Sequence, residues 1–545
     1  MATSSATADA VVIGAGHHGL VAANALADAG WDVVVLEASD TVGGAVRSAE
    51  LVPGFTGDLF SAFYPLAAAS TAISSLGLED HGLSWCHAPS VVAHPFGPDD
   101  TEGAVLHRDP AQTAAVLAQH DPRDGRAWLE LVDQWHRIKQ PLLNTLFQPV
   151  PPVRGPVGML RALGTTESLR LLRFMMLPAK RMAEELFYSE AARLLLLGNA
   201  MHADVPVDAP VSGAFGFLLT MLAQDVGYPV PRGGAGALTQ AMARRAEAGG
   251  VQIHTGQRVE AVEVSGGRAV AVRTVGGMRV QAKRAVIADT SAMSLYRDLL
   301  PADAVPARIL ADLQHFEWDT PVVKVNYALD APIPWRAKNL HGAGTVHLGA
   351  DERGLVRWMA DLGTAVVPRT PFMLFGQMTT SDASRSAEGT ESAWAYTHLP
   401  RGITDDESAD ILAGRVDEVL EAHAPGYATH VVGRVVQRPS DLHGSDPNLI
   451  GGNVNGGTAQ LQQQLIFRPT PGLGRAETPV DGLYLGSAAA HPGGGVHGVC
   501  GLNAARAALS EQHWRGLPKR RAMSALLALV NREPGLSGGA DAASR

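Results

Sequence analysis

The 545-residue chain is long enough for three or four folding units, and its 46% hydrophobic and 18% charged residues describe a globular protein rather than a disordered one. A net charge of −10 gives no reason to expect nucleic acid as the partner. Two cysteines, Cys86 and Cys500, are too few and too far apart for a zinc site, a local dithiol or a disulfide framework, which fits a reducing, cytoplasmic setting with no metal centre.

The first residues, MATSSATADA, lack a basic region followed by an apolar one, and no run reaches the ~18 to 20 apolar residues of a membrane span. A soluble or membrane-peripheral protein is expected. Residues 9–14 then read as a short buried strand, 19–30 as a helix and 31–36 as a second strand, a β-α-β opening. Its turn carries Gly14-Ala15-Gly16-His17-His18-Gly19, a G-x-G-x-x-G between strand and helix. The first glycine makes the turn, the second admits a pyrophosphate to the backbone, and the third lets the helix pack on the strand. Glu37, 18 residues after Gly19, ends the second strand where a carboxylate accepts from a ribose 2′-hydroxyl and repels a 2′-phosphate. His17 and His18 are adjacent, so their side chains diverge and cannot chelate one metal.

Gly43 and Gly44 follow, with Arg47 as a cation suited to a pyrophosphate. Residues 76–224 read as helical segments, interrupted by the proline-rich stretch 148–156. Within them 169–177 is apolar and flanked by Arg161, Arg170, Arg173, Lys180 and Arg181, a pattern that can rest on an anionic membrane surface. Residues 231–236 only partly imitate a second phosphate turn. Strand character returns over 249–289, which ends at Asp289, either the close of a strand or a helix N-cap. From 300 to 448 strands and helices mix without a motif.

Glycine then becomes dense at 451–457 and again from Gly482. The second block runs through Gly486, Ser487, Gly494, Gly495 and Val496 into a helix over about 498–508, another helix N-terminus aimed at a ligand. His491 and His497 flank its glycine run and read first as loop hydrogen-bonding groups and only second as catalytic candidates, so no catalytic residue is assigned, while Cys500 reads as an inert buried thiol. Residues 511–531, with an apolar run after Lys519, Arg520 and Arg521, are expected as a C-terminal helix that could also meet a membrane. Residues 532–545 are expected to be disordered.

The stretches DAVVIGAGHHGL, VLEASDTVGGAVRS and GLYLGSAAAHPGGGVHGVCGLNAA together resemble the FAD-dependent phytoene desaturase and carotenoid oxidoreductase family. The resemblance is nearest to its branch of pyridine nucleotide-disulphide oxidoreductase domain-containing protein 2 and the β-carotene ketolases. It implies a Rossmann-like, glutathione-reductase-type FAD-binding domain, of α/β class, joined to a mixed α+β substrate domain. It places the FAD-binding domain in 8–75, 225–300 and 455–510, with the substrate domain in 76–224 and 301–454. It carries Gly14, Gly16, Gly19, Glu37, Gly43, Gly44 and Arg47 onto the ADP half of FAD, with the backbone of Val259 facing adenine. Gly486, Ser487, Gly494, Gly495 and Val496 fall to the flavin half. The expected reaction is dehydrogenation of an apolar, isoprenoid or carotenoid-like substrate by hydride transfer to flavin. Without a second nucleotide site, oxygen or a quinone is the economical electron acceptor. Ketolation or isomerisation on the same cofactor, and a non-enzymatic lipid carrier of the same fold, are the alternatives.

Overall fold

The computed structural model describes residues 5–512. Most of the expected helix 511–531 and all of the tail 532–545 lie outside the described residues.

Two seven-stranded sheets organise the chain. In the first, the strand Ser5–Ile13 lies between Arg279–Ala288 and Val33–Leu36, parallel to both. Gln252–His254 extends the row on one side, and Leu483–Leu485 joins the C-terminal half of Arg279–Ala288 on the other. The antiparallel pair Val259–Ser265 and Arg268–Thr274 joins its N-terminal half. Residues 10–13, Val33–Leu36 and residues 285–288 are apolar without alternation because both faces are covered there. Ala10 and Val12 pack under the helices His17–Asp28, Gly236–Ala248 and Val499–Gln512, while Val11 and Ile13 enter a second core on the opposite face. The α/β class and the Rossmann-like arrangement are therefore as expected. The second strand begins at Val33 rather than at residue 31, because the Trp31 N–H is taken by the Leu26 carbonyl as the first helix ends.

The second sheet has the order Val431–Gln437, Val322–Leu329, Glu391–His398, Met373–Gln377, Ala343–Leu348, Ser90–His94 and Ala104–Leu106. The helix Asp406–His423 covers one face through Leu412, Val416 and Leu420. Helices between Pro110 and Asp225 build a core over the other.

A buried ion cluster joins the two halves. Arg385 donates to both Asp58 carboxylate oxygens at 3.1 Å and to Asp382 Oδ2 at 3.0 Å, with all three side chains almost wholly buried. Asp58 Oδ1 also accepts from Ser48 Oγ at 2.7 Å and from the Ala235 N–H at 2.8 Å, at the start of the helix Gly236–Ala248.

Candidate functional site

The site begins at the turn after Ser5–Ile13. Gly14 has φ of +95°, a left-handed conformation that glycine adopts without strain, and its N–H donates to the Leu36 carbonyl at 2.8 Å. A Cβ on Gly19 would lie 2.2 Å from the Gly14 carbonyl oxygen, so that contact requires glycine. Glu37 is 7% exposed and pinned by two backbone donors, Ala15 N–H to Oε2 and Ser39 N–H to Oε1, each at 2.7 Å. A carboxylate has about four acceptor positions, so Glu37 keeps capacity for a ribose hydroxyl.

Asp289 is no N-cap; Ser291 Oγ accepts from the Ser294 N–H instead. Asp289 closes the phosphate turn, its Oδ2 accepting from the Gly19 N–H at 2.8 Å. Burial, with the nearby charges of Asp446 and Glu37, pushes its carboxyl up to about 8. An acid raised in the folded state stabilises fully only below its ordinary pKa, and that contribution is lost as pH rises through about 8. Asp289→Asn keeps an acceptor for Gly19 and removes the titration. The variant is expected to lose less thermal stability than wild type between about pH 6 and pH 9, measured by calorimetric Tm.

Gly43 and Gly44 fold over the turn, with the Gly43 N–H donating to the Ala15 carbonyl at 2.9 Å. Arg47 stands beside this loop. Its guanidinium donates to the Gly44 and Ser445 carbonyls, each at 2.8 Å, lies over the Phe60 ring, and does not line the cavity described below. It secures the glycine loop because two backbone acceptors already hold it.

The second glycine block meets the first across the sheet. Ser487 Oγ donates to the Thr290 carbonyl at 2.6 Å, and the Gly486 N–H donates to the Ala288 carbonyl. A Cβ on Gly494 would lie 2.6 Å from the Asn455 carbonyl oxygen, so the 451–457 and 486–498 loops pack backbone to backbone. Arg468, wholly buried, donates to the carbonyls of Asn455, Gly456, Thr458 and Ala488, while Asp319 accepts from the N–H groups of Val454, Asn455 and Gly457. The loop is thus held by its N–H and C=O groups alike.

His497 lines the cavity, but its ring is spent on backbone. Nδ1 accepts from the Val499 N–H at 3.0 Å and Nε2 lies 3.2 Å from the Gly493 carbonyl oxygen, the loop hydrogen bonding suggested by its place beside the glycine run. Burial moves it down to about 3. His491 is buried, shifted down to about 4, and absent from the cavity wall. Cys500 is the buried thiol expected, pushed up to about 12. His18 and His497 bring ring nitrogens within 4.8 Å of each other and of Cys500 Sγ. This trio makes a poor cation site: with Nδ1 accepting, His497 Nε2 must carry the proton and offers no lone pair.

One cavity of about 740 Å³ runs through both blocks. Gly14, Gly16, Glu37, Gly44 and Val259 line one part, and Ser487, Gly494, Gly495, Val496 and His497 another. Gly19, Gly43 and Gly486 stand behind this wall. Beyond lies an apolar end of Phe63, Leu218, Leu219, Tyr228, Trp394 and Tyr396. The shape, the bare backbone at the turns and the acceptor at Glu37 fit an extended dinucleotide carrying a ring system into that end.

Sequence reasoning missed Lys324. It is 3% exposed, donates to the Asp58 and Phe60 carbonyls, and stands 5.4 Å from the Trp394 ring centroid. Burial lowers its ammonium to about 8. The available signal was a lone cation inside the apolar strand Val322–Leu329.

The sequence model of the flavin containing amine oxidoreductase family matches residues 19–509. The chain is 29% identical over 546 residues to pyridine nucleotide-disulfide oxidoreductase domain-containing protein 2 of Rattus norvegicus, covering 91% of this chain and 92% of that protein. It is 26% identical over 510 residues to the lycopene-forming phytoene desaturase of Pantoea ananas, covering 91% and 98%. An oxidoreductase from Methanosarcina mazei shares the fold, with a TM-score of 0.58 at 17% identity over 92% of this chain and 99% of that one.

Proposed function

From the premise that the chain belongs to the flavin containing amine oxidoreductase family and is an FAD-dependent oxidoreductase, we propose that it dehydrogenates an apolar, isoprenoid-like molecule. The observation that carries this reading is the aromatic and aliphatic end of the cavity, continuous with the glycine-lined part. Its cation, Lys324, opposes an ammonium substrate and tolerates an uncharged one. The phytoene desaturase of Pantoea ananas supports the same substrate class.

In this reading Gly14, Gly16, Gly19, Glu37, Gly43 and Gly44 shape the ADP cradle, with Val259 beside adenine. Gly486, Ser487, Gly494, Gly495 and Val496 shape the flavin cradle. The sheet composition supports assigning 8–75, 225–300 and 455–510 to the FAD-binding unit, and 76–224 and 301–454 to the substrate unit. When bound, FAD supplies two-electron oxidation; the protein orients the C–H bond and excludes water. Oxygen or a quinone is the proposed acceptor.

Contact with a bilayer surface belongs to the same proposal. No helix among the described residues is long and apolar enough to cross a membrane. The helix Arg154–Met176 nonetheless exposes Leu169, Leu172 and Met176, each by more than half. It packs on Ser212–Asp225, the helix that gives Leu218 and Leu219 to the cavity.

The test is anaerobic mixing of holoprotein with phytoene in phosphatidylcholine vesicles. Bleaching of the flavin band near about 450 nm is expected. Bleaching by a primary amine, with none by phytoene, would overturn the proposed substrate class.

A further inference from the structure

We propose that His202 accepts the proton released when substrate is oxidised at the apolar end of the cavity, an inference that rests on the dehydrogenation reading above. His202 lines the cavity, and two imidazoles, His347 and His94, stand behind it with no exposed surface. One hydrogen bond joins His202 to His347, and another anchors His94 to backbone.

His94 Nε2 lies 3.0 Å from the Ala350 carbonyl oxygen. That oxygen can only accept, so Nε2 carries the proton and His94 Nδ1 is bare. His347 Nδ1 and His94 Nδ1 have no hydrogen-bond partner, yet both converge on Gly198. A Cβ there would lie 2.1 Å from the first and 2.9 Å from the second. In this proposal the His347 proton sits on Nδ1, on the side of the bare nitrogen of His94. His347 Nε2 is then the bare nitrogen. It lies 2.9 Å from His202 Nε2, which must therefore donate. What remains is His202 Nδ1, an unprotonated nitrogen on a cavity-lining side chain. Burial lowers His202 to about 4, so the ring is neutral and its lone pair available at neutral pH.

Forming a carbon–carbon double bond breaks two adjacent C–H bonds. One hydrogen leaves as hydride, taking its electron pair to the flavin, which is reduced by two electrons. The other leaves as a proton to His202 Nδ1, and its C–H electron pair becomes the new π bond. His202 touches the substrate in this scheme; His347 and His94 are positioning residues that act through it. The Tyr228 ring lies 5.7 Å from that of His202, and its hydroxyl donates to Asn199 Oδ1 at 2.6 Å. It therefore keeps its proton.

The first arm of the test needs no substrate. Holoprotein labelled with nitrogen-15 histidine reports which ring nitrogen is bare, and the His202 signals are those absent from His202→Gln. Wild type is expected to show a bare Nδ1 and a protonated Nε2 at His202, and His94→Leu, which removes the anchor, to mix the two tautomers. A protonated Nδ1 in wild type, or no change in His94→Leu, overturns the proposal. In the second arm, with phytoene in phosphatidylcholine vesicles, His202→Gln is expected to bind FAD as wild type does and to reduce it about 100-fold more slowly. An unchanged rate also overturns the proposal. If wild type itself fails to bleach with phytoene, the substrate reading falls, while the nitrogen spectrum still decides the state of His202.

Discussion

Gly19→Ala is expected to purify as a folded protein carrying less than about a tenth of the wild-type FAD, a loss of at least about 1.4 kcal/mol in binding. The added Cβ would lie 2.2 Å from the Gly14 carbonyl oxygen and 3.1 Å from Asp289 Oδ2. The first contact is backbone, which cannot rotate away, so the turn must open. Its displacement moves the N–H groups that would face the pyrophosphate and weakens the Gly19 bond to Asp289. Gly30→Ala is the control. Gly30 is also left-handed, with φ of +78°, but nothing lies within 4 Å of its Cβ position. Alanine there costs roughly 1 kcal/mol in conformation and leaves flavin content unchanged. The ratio of absorbance at the flavin and protein bands, with far-ultraviolet circular dichroism for folding, reads both variants. Full flavin content in Gly19→Ala would mean that the turn does not hold the cofactor.

Arg385→Ala is expected to cost about 3–5 kcal/mol of stability, because removing one partner leaves buried charges without compensation. Asp58 and Asp382 would both lose it in a region that water does not reach. Asp58 further holds Ser48 and the start of the helix Gly236–Ala248, and its backbone carbonyl accepts from Lys324. Loosening at Arg385 therefore reaches the cavity. Calorimetry should show a lower Tm, with Arg385→Lys falling between the two, since an ammonium cannot reproduce the bidentate contact. A Tm equal to wild type in Arg385→Ala would show that the cluster does not join the halves.

Much of the geometry around the first glycine turn was legible because its signal is local. Gly14, Gly16 and Gly19 lie within one turn, and Glu37 follows at the end of the adjacent strand, so chain order already places them together. Arg47 is ambiguous by itself, because a cation among glycines looks the same in sequence whether it faces an anion or, as here, donates to two carbonyls. At His497 the sequence offers loop hydrogen bonding and catalysis side by side, and the Val499 N–H and the Gly493 carbonyl claim its ring only once the loop has folded. Lys324, Arg468 and His202 were not legible, since each has its role through partners far away in the chain, such as Asp58, Asn455 and His347.

By itself the sequence determined the β-α-β opening, the glycine turn after the first strand, Glu37 at the end of the second strand and the second glycine block. Each depends on backbone conformation and apolar periodicity over a few residues, and those act before long-range contacts form. Only the tertiary structure decided how His202 and His497 are partnered along the cavity, that Arg47 donates to two backbone carbonyls, and that Asp289 closes the turn as a carboxyl raised by burial. These outcomes follow from desolvation and hydrogen-bond competition, which have no meaning until distant segments exclude water from one another.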